Sequence, residues 1–312
     1  MVESAPMTEG FEHHLNGSQE PFLSATLDET QPIAVRARRS ARRSRRNAVV
    51  WGIVAGLLLY VFLAWPARFN LLLLGIDRTP EGTALGRSDT IMLTTFQPGK
   101  PYVGLLSIPR DLWVAIPGYG ENRINAAHFF GEGDIPGSGP ALAMETVRRT
   151  FGVDVDGYIR IQFDGLRRFV DVLGGIPINL EVTVGKLGPG PHVLDGETAL
   201  AFVRSREGSD DFFRMAHGQQ FLRAVLERIR NPVVWPRLPL AGAALIGSIR
   251  SDVPIWQWPR ILFTLLRVGS KGIDARIIDR SMATGFVTEG GAQVLAPDWS
   301  RINPLLMEMF GQ

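Results

Sequence analysis

Between Ala48 and Ala67 the chain runs for twenty residues, AVVWGIVAGLLLYVFLAWPA, without a charge. At about 1.5 Å per residue, a helix of this length spans about 30 Å, the thickness of a bilayer's hydrocarbon core. Trp51, Tyr60 and Trp65 lie toward its ends or upper half and partly fit an aromatic belt. Arg36, Arg38, Arg39, Arg42, Arg43, Arg45 and Arg46 stand immediately before it. The positive-inside rule then places residues 1–47 in the cytoplasm and residues 68–312 outside. A cleaved signal peptide fits less well, because the leader is long and Ala64-Trp65-Pro66 is a weak cleavage site. A buried core helix fits poorly too, since apolarity continues around the whole helix. The expectation is an uncleaved, single-pass anchor over 48–67 in the cell membrane. Residues 1–35 are rich in Glu, Ser, Thr, Pro and His without an apolar period, so residues 1–47 read as a disordered tail that ends in the basic block.

The seven arginines sit in one short block, and the chain's net charge is only +2, so the body after the span is close to neutral. That asymmetry points to a local task at the membrane and away from a nucleic-acid partner. With no cysteine, disulfides, thiolate zinc sites, iron–sulfur clusters and a cysteine nucleophile are excluded. Neither a GxxxxGK[ST] phosphate loop, an HExxH helix nor a GxSxG elbow is present. His128, His192 and His217 lack metal-ligand spacing, and the glycine-rich Gly131–Gly139 reads as a surface loop.

Residues 68–312 are enough for one large domain with a real core. Phe69–Gly75, Thr90–Phe96, Tyr102–Ile108, Tyr158–Phe163, Ile176–Val184 and Ile273–Ile278 are short apolar runs that read as strands. Pro140–Phe151, Asp164–Leu173, Asp195–Val203, Phe213–Ile229, Trp256–Val268 and Trp299–Phe310 read as helices, with Asp195 as a capping carboxylate. Strands alternating with helices predict an α/β fold whose central sheet is covered on both faces.

Charges interrupt this apolar background at element ends. Asp77-Arg78 follows LLLLGI, Arg87-Ser88-Asp89 precedes TIMLTTF, and Arg110-Asp111 follows LLSIP. Arg123 opens RIN, Arg204 and Arg206 follow ALAFV, and Asp211 and Arg214 open the longest helix. Sites of α/β sheets lie at such ends. Arginines donate in a fork that matches phosphate oxygens. Asp77 and Asp89 could hold a hard divalent cation through oxygen. Together these groups suit phosphoryl transfer; singly, a pair such as Arg110 beside Asp111 reads equally as a structural ion pair.

In order, LLLLGIDR, GRSDTIML, LLSIPRDLWVAIPGYG, RINAAH, VDVLGGIPI, LDGETALAFVRSR and DFFRMAHGQQFL resemble the LytR-CpsA-Psr family of bacterial cell-wall proteins, over roughly Phe69 to Leu222. The resemblance implies an α/β/α sandwich with a mainly mixed sheet, holding polyprenyl phosphates in an apolar tunnel. It implies a phosphotransferase that moves a glycopolymer from a polyprenyl diphosphate carrier onto peptidoglycan and releases polyprenyl phosphate. By motif, Asp77 and Asp89 match the carboxylates linked to Mg²⁺ (or Mn²⁺), and Arg87, Arg110, Arg204, Arg206 and Arg214 match the arginines that bind the diphosphate. Arg123 stands where relatives usually carry Lys, keeping the charge with a different donor geometry.

The R-x-x-R-Q-Q pattern of the family becomes Arg214-Met215-Ala216-His217-Gly218-Gln219, so an expected Arg is His and an expected Gln is Gly. A one-residue slip would restore Gln219-Gln220, while the helical frame from Arg214 favours the first alignment. Gln219 is kept with the diphosphate-binding set. Asp89 or Asp111 would orient or deprotonate the attacking sugar hydroxyl, with Arg110 beside them. The partners implied are a glycan lipid, a peptidoglycan acceptor and the membrane. Rival readings are a polyprenyl diphosphate phosphatase, a non-catalytic lipid-binding envelope protein and a membrane-tethered transcription regulator.

Overall fold

The structure, a computed structural model, describes residues 34–65, 67–76, 85–205 and 211–311; Asp77 and Arg206 lie outside the described residues. Helix α1 (Ala34–Leu63) carries the uncharged run, and its stretch Arg45–Leu63 is long and apolar enough to cross a membrane. It starts upstream of the expected anchor. Residues 34–47, read from composition as part of a disordered tail, continue the same helix, in keeping with the high helix propensity of Ala and Arg.

Strands β1 (Phe69–Ile76), β2 (Ser88–Gln97) and β3 (Tyr102–Ser107) form an antiparallel meander. A hairpin of β4 (Trp113–Ile116) and β5 (Gly120–Arg123) leads into α2 (Ala126–Asp134) and α3 (Gly139–Phe151). Strand β6 (Gly157–Gln162) then lies parallel to β1 and passes directly into α4 (Phe163–Leu173). The hairpin of β7 (Ile176–Leu180) and β8 (Gly190–Leu194) precedes α5 (Gly196–Arg204) and α6 (Asp211–Arg230). Asp195 caps α5 as expected, accepting from the Thr198 amide at 2.8 Å.

A 3₁₀ turn and α7 (Leu238–Leu245) lead to the short strand β9 (Ile249–Ser251). A second 3₁₀ turn, Ile255–Gln257, opens into α8 (Trp258–Val268). Strand β10 (Asp274–Ile277), the hairpin β11 (Ala283–Val287) and β12 (Gln293–Pro297), and α9 (Trp299–Phe310) complete the domain.

The central sheet runs β10-β3-β2-β1-β6-β9 and is mixed. Because side chains alternate across a strand, the apolar runs serve both faces at once. Leu72, Leu74, Leu93 and Leu106 join Val147 of α3 and Ile302 and Met309 of α9 in one core. Leu71, Met92, Phe96 and Leu105 join Leu226 of α6 and Ile261 of α8 in another. The result is an α/β/α sandwich. A third cluster, from α4, α5, α6, α7 and the β7–β8 hairpin, lies around Val170, Leu173, Phe202 and Phe221.

The glycine-rich Gly131–Gly139 departs from the expected surface loop. Its first residues end α2, its last begins α3, and both Gly131 and Gly139 are buried. A Cβ on Gly139 would sit 2.6 Å from the His128 carbonyl oxygen, so the two helices cross too closely for a side chain. Glu132 explains the tight turn: its carboxylate accepts from the Gly137 and Gly139 amides and faces buried Arg160 at 3.6 Å. The glycines here serve a packed helix corner.

Candidate functional site

Strand register brings the charged motifs to one edge of the sheet. Ile76 pairs with Ser88 on one side and Gln162 on the other. Thus the end of β1, the start of β2 and the end of β6 coincide. Past the end of β3, the Ile108 amide still donates to the Ile91 carbonyl, which carries the chain on to Arg110 alongside Asp89. The RIN segment splints this turn. The Asn125 amide donates to the Arg110 carbonyl (3.3 Å), and the Asn125 carbonyl accepts from the Ser88 amide (3.4 Å). One turn into α2, buried His128 places Nδ1 2.8 Å from the Gly86 carbonyl oxygen. Burial pushes the His128 pKa below the usual histidine range, only partly opposed by that carbonyl.

Arg110 is the centre of the cluster. Its Nη1 donates to Asp89 Oδ1 at 2.5 Å, and its Nε lies 3.5 Å from Asp111 Oδ2 and 3.4 Å from Asp211 Oδ1. Burial disfavours the cation, but Asp211, Asp89 and Asp111 outweigh it and raise the Arg110 pKa. Arg123 extends the cluster, with Nε 3.3 Å from Asp111 Oδ1 and Nη2 donating to the Gln293 carbonyl at 2.8 Å. Arg214 closes the other side: Nη2 pairs with Asp211 at 2.5 Å and donates to the Asp89 carbonyl at 3.0 Å. Of the expected residues, Asp89, Arg110, Asp111, Arg123 and Arg214 therefore form one network.

The remaining expected residues are placed differently. Arg87 is exposed just before β2. Arg204 ends α5 with its guanidinium 5.6 Å from the centre of the Phe163 ring, at the β6 end of the same sheet edge. A Cβ on Gly75 would meet Thr90 Cβ at 2.9 Å and Phe163 Cε1 at 3.0 Å, so the glycine in LLLLGI lets Phe163 lie across the edge. Gln219 does not join the network: its Nε2 donates to Ser107 Oγ at 2.9 Å and to the Arg276 carbonyl at 2.7 Å. The His217 ring packs 4.8 Å from the Phe202 ring, and Gly218 is buried against Met92.

Two features had no assigned role from the sequence. Asp211, named there only among the element-end charges, joins Arg110 to Arg214, and the i, i+3 spacing of Asp211 and Arg214 in a helix's first turn was a usable signal. The β11–β12 hairpin lies far from the motifs in sequence, yet the Leu295 amide donates to the Asp111 carbonyl at 3.0 Å. Between hairpin and cluster lies a cavity of about 520 Å³, lined by Arg110, Asp111, Asp211, Phe212, Phe286 and Gln293 among others. Cations fixed by carboxylates at a cavity wall suit recognition of a multiply charged anion.

Comparison with known proteins identifies the family and the fold. The model of the LytR_cpsA_psr family matches residues 64–302. The polyisoprenyl-teichoic acid–peptidoglycan teichoic acid transferase TagU of Oceanobacillus iheyensis is 38% identical over 163 residues, 50% of each chain. The protein of the same name from Enterococcus faecalis is 33% identical over 71% of this chain and 72% of its own. For the Oceanobacillus relative, the match thus spans about half its length. Among solved structures, B. subtilis TagV superposes with a TM-score of 0.65 at 24% identity, covering 79% of this chain and 98% of that one. TagT bound to LIIa-WTA superposes with a TM-score of 0.60 at 23% identity, covering 78% and 91%. With the family pattern matched from residue 64 to residue 302, the chain belongs to the LytR-CpsA-Psr family.

Proposed function

We propose that the protein is a cell-wall glycopolymer transferase, which moves a glycopolymer from a polyprenyl diphosphate carrier onto peptidoglycan and releases polyprenyl phosphate. The observation that carries this reading is the network itself: Arg110, Arg123 and Arg214 share Asp89, Asp111 and Asp211 beside a cavity. The TagU relatives, named as teichoic acid transferases, support the substrate class.

In this scheme Arg110, Arg123 and Arg214 bind the diphosphate, with Arg87, Arg204 and Arg206 adding charge around it. A sugar hydroxyl of the acceptor attacks the phosphorus next to the glycan, and the bond from that phosphorus to the bridging oxygen breaks. Polyprenyl phosphate leaves with the bonding electrons, and the hydroxyl proton passes to a carboxylate. Asp111 suits that role, because it lines the cavity and is held by both Arg110 and Arg123.

Asp89 supplies a hard oxygen donor of the kind that Mg²⁺ or Mn²⁺ takes, and Asp111 and Asp211 lie around the same Arg110. Among the described residues no group of three or more ligating side chains forms a ready metal site. Asp89 would hold the ion, with Asp77, the residue after β1, as its expected partner. Such an ion would neutralise charge on the diphosphate.

The test uses the full chain in lipid vesicles with a polyprenyl-diphosphate-linked glycan, a peptidoglycan fragment and Mg²⁺. Glycan covalently joined to the fragment is expected, and its loss in Asp89→Ala at temperatures well below that variant's melting transition. Free phosphorylated glycan with no joined product would replace transfer by hydrolysis. Lipid binding without turnover would leave a binding protein.

A further inference from the structure

One buried side chain ties the start of α8 to the residues that follow α1. Arg260, 9% exposed, donates from Nη2 to the carbonyls of Trp65 (3.1 Å) and Ala67 (3.3 Å) and from Nη1 to Gln257 Oε1 (3.0 Å). Trp65 is two residues past Leu63, where the apolar stretch ends. Whatever surface α8 presents to the outside is therefore presented close to the point where the chain leaves that stretch.

That surface is apolar. Ile261 and Thr264 of α8 turn inward and are buried, with Ile261 in the core beneath the sheet. On the opposite side Ile255 is 79% exposed, Trp256 59%, Leu262 49% and Leu266 46%. With exposed Pro259 between them, these positions recur every three to four residues, so they form one stripe along the helix. A helix covered by water on that side would carry charge there. Here the segment from Val253 to Ile273 contains no acidic residue, and its charges are Arg260, Arg267 and Lys271. Arg267 folds over the Phe263 ring and donates to the Pro98 carbonyl, while Lys271 is exposed at the end of the segment. Exposed apolar and tryptophan side chains, with Lys271 at the end of the segment and an absence of acids, form the pattern of a helix that lies in a membrane interface.

We propose that the outer stripe of α8, with Ile255 and Trp256 before it, is a membrane-interface contact that seats the outer domain on an anionic lipid surface beside its own anchor. The inference rests on reading Arg45–Leu63 as a membrane span. The occupant follows from continuity: Trp65 and Ala67, just past the span, are joined to the start of α8 through Arg260, so α8 is tied to the chain where it leaves the apolar stretch. Ile255, Trp256, Leu262 and Leu266 would sit about 5–10 Å into the boundary between headgroups and acyl chains. The domain would then be held against the leaflet from which a lipid-linked substrate must come.

The absence of cysteine makes the test clean. Single variants Leu262→Cys, Leu266→Cys, Met307→Cys and Leu58→Cys of the full chain are labelled with an environment-sensitive fluorophore. Each is reconstituted into phosphatidylglycerol–phosphatidylcholine vesicles with and without nitroxide-bearing lipids. Met307 is 63% exposed on α9 and serves as the water-facing reference, and Leu58 reports the span. The labels at 262 and 266 are expected to shift to the blue and to lose intensity to the nitroxide lipids, while the label at 307 does neither. If the 262 and 266 labels behave as the 307 label does while the Leu58 label is quenched, the interface contact falls and the span stands. An unquenched Leu58 label removes the span and the contact with it. Labels at 262 and 266 that are shielded, unquenched by lipid, and close enough to transfer energy between molecules would assign the stripe to a second copy and overturn the proposal.

Discussion

Arg110→Ala separates a site arginine from a structural one. In the wild type, the Nη1 bond to Asp89 is charge-assisted and worth about 1.5–3 kcal/mol. The two Nε contacts, at 3.5 and 3.4 Å, join side chains between 16% and 29% exposed. At that exposure each is worth about 0.2–1 kcal/mol. The gross loss is about 2–5 kcal/mol. Water reaches all three carboxylates once the guanidinium is gone, so a net cost of about 1–2 kcal/mol is expected, read as a fall of about 2–8 °C in melting temperature. The effect on turnover is of another order. Removing one preorganised donor from developing negative charge costs about 10²–10³ in rate. Arg110→Lys keeps a charge, but one ammonium cannot address Asp89 and the Asp111–Asp211 side together as the fork does. It should keep most of the stability and lose most of the rate. Thermal melts and initial rates of glycan joining, measured well below either transition, give both quantities. A wild-type rate in Arg110→Ala, or a loss of rate that only follows the unfolded fraction, refutes the assignment.

Three further outcomes follow from particular contacts. Asp195→Ala removes the cap on the Thr198 amide and should cost about 1 kcal/mol, read as a lower urea midpoint; an unchanged midpoint would show the cap to be idle. Gly218→Gln introduces a Cβ 3.0 Å from Met92 Cε, the mobile end of a flexible side chain, and removes a glycine that costs a helix about 1 kcal/mol. The variant should therefore melt within a few degrees of wild type, and a collapse of the fold would show that α6 cannot accept the family's residue. His128, with its pKa held down by burial, binds its proton in the unfolded chain near pH 6.5 but in the folded chain only at lower pH. Its contribution is full above about pH 6.5 and is lost as the pH falls from there through the depressed folded pKa. Stability should drop more between about pH 7.5 and 5.5 in wild type than in His128→Gln, and equal drops by denaturant titration would refute that role.

The sheet and its charged edge were legible in the sequence because they use local signals. LLLLGI, TIMLTTF and YVGLLSI are continuous apolar runs since both faces of β1, β2 and β3 are covered, and a charge directly after such a run marks an element end. Asp195 and the Gly174-Gly175 turn, both glycines with positive φ, punctuate α5 and β7 as local chemistry predicts. Less legible were elements whose reason to exist lies elsewhere in the chain. The β11–β12 hairpin has faint alternation of its own, and its place is set by the Leu295 bond to Asp111 and the Gln293 bond from Arg123. Gly131–Gly139 looked like a loop because a close helix crossing and a loop both select glycine, and only buried Glu132 and Arg160 tell them apart. Gln219 shows the same limit within a recognised motif. Its position in the helix matched a site residue, while its partners, Ser107 and Arg276, come from two neighbouring strands.

The charge balance of the network bears on how the proposed ligand enters. Arg110, Arg123 and Arg214 face Asp89, Asp111 and Asp211, so the described centre of the site is close to neutral by itself. A bare diphosphate would have to pull arginines from their carboxylates and leave several partly buried negative charges without partners, at several kcal/mol. A diphosphate that arrived with a divalent cation would avoid that cost, since the carboxylates could neutralise the cation and the arginines the phosphate oxygens. On the proposed reading, then, the acids around Arg110 do more than anchor it, because they make strong binding conditional on both charges arriving together. Asp211→Asn tests this directly. It removes one negative charge between Arg110 and Arg214 without removing either arginine. It should tighten binding of the diphosphate lipid in excess chelator while narrowing the gain from added Mg²⁺. A variant that binds more weakly in both conditions would show that Asp211 serves only to place the two arginines.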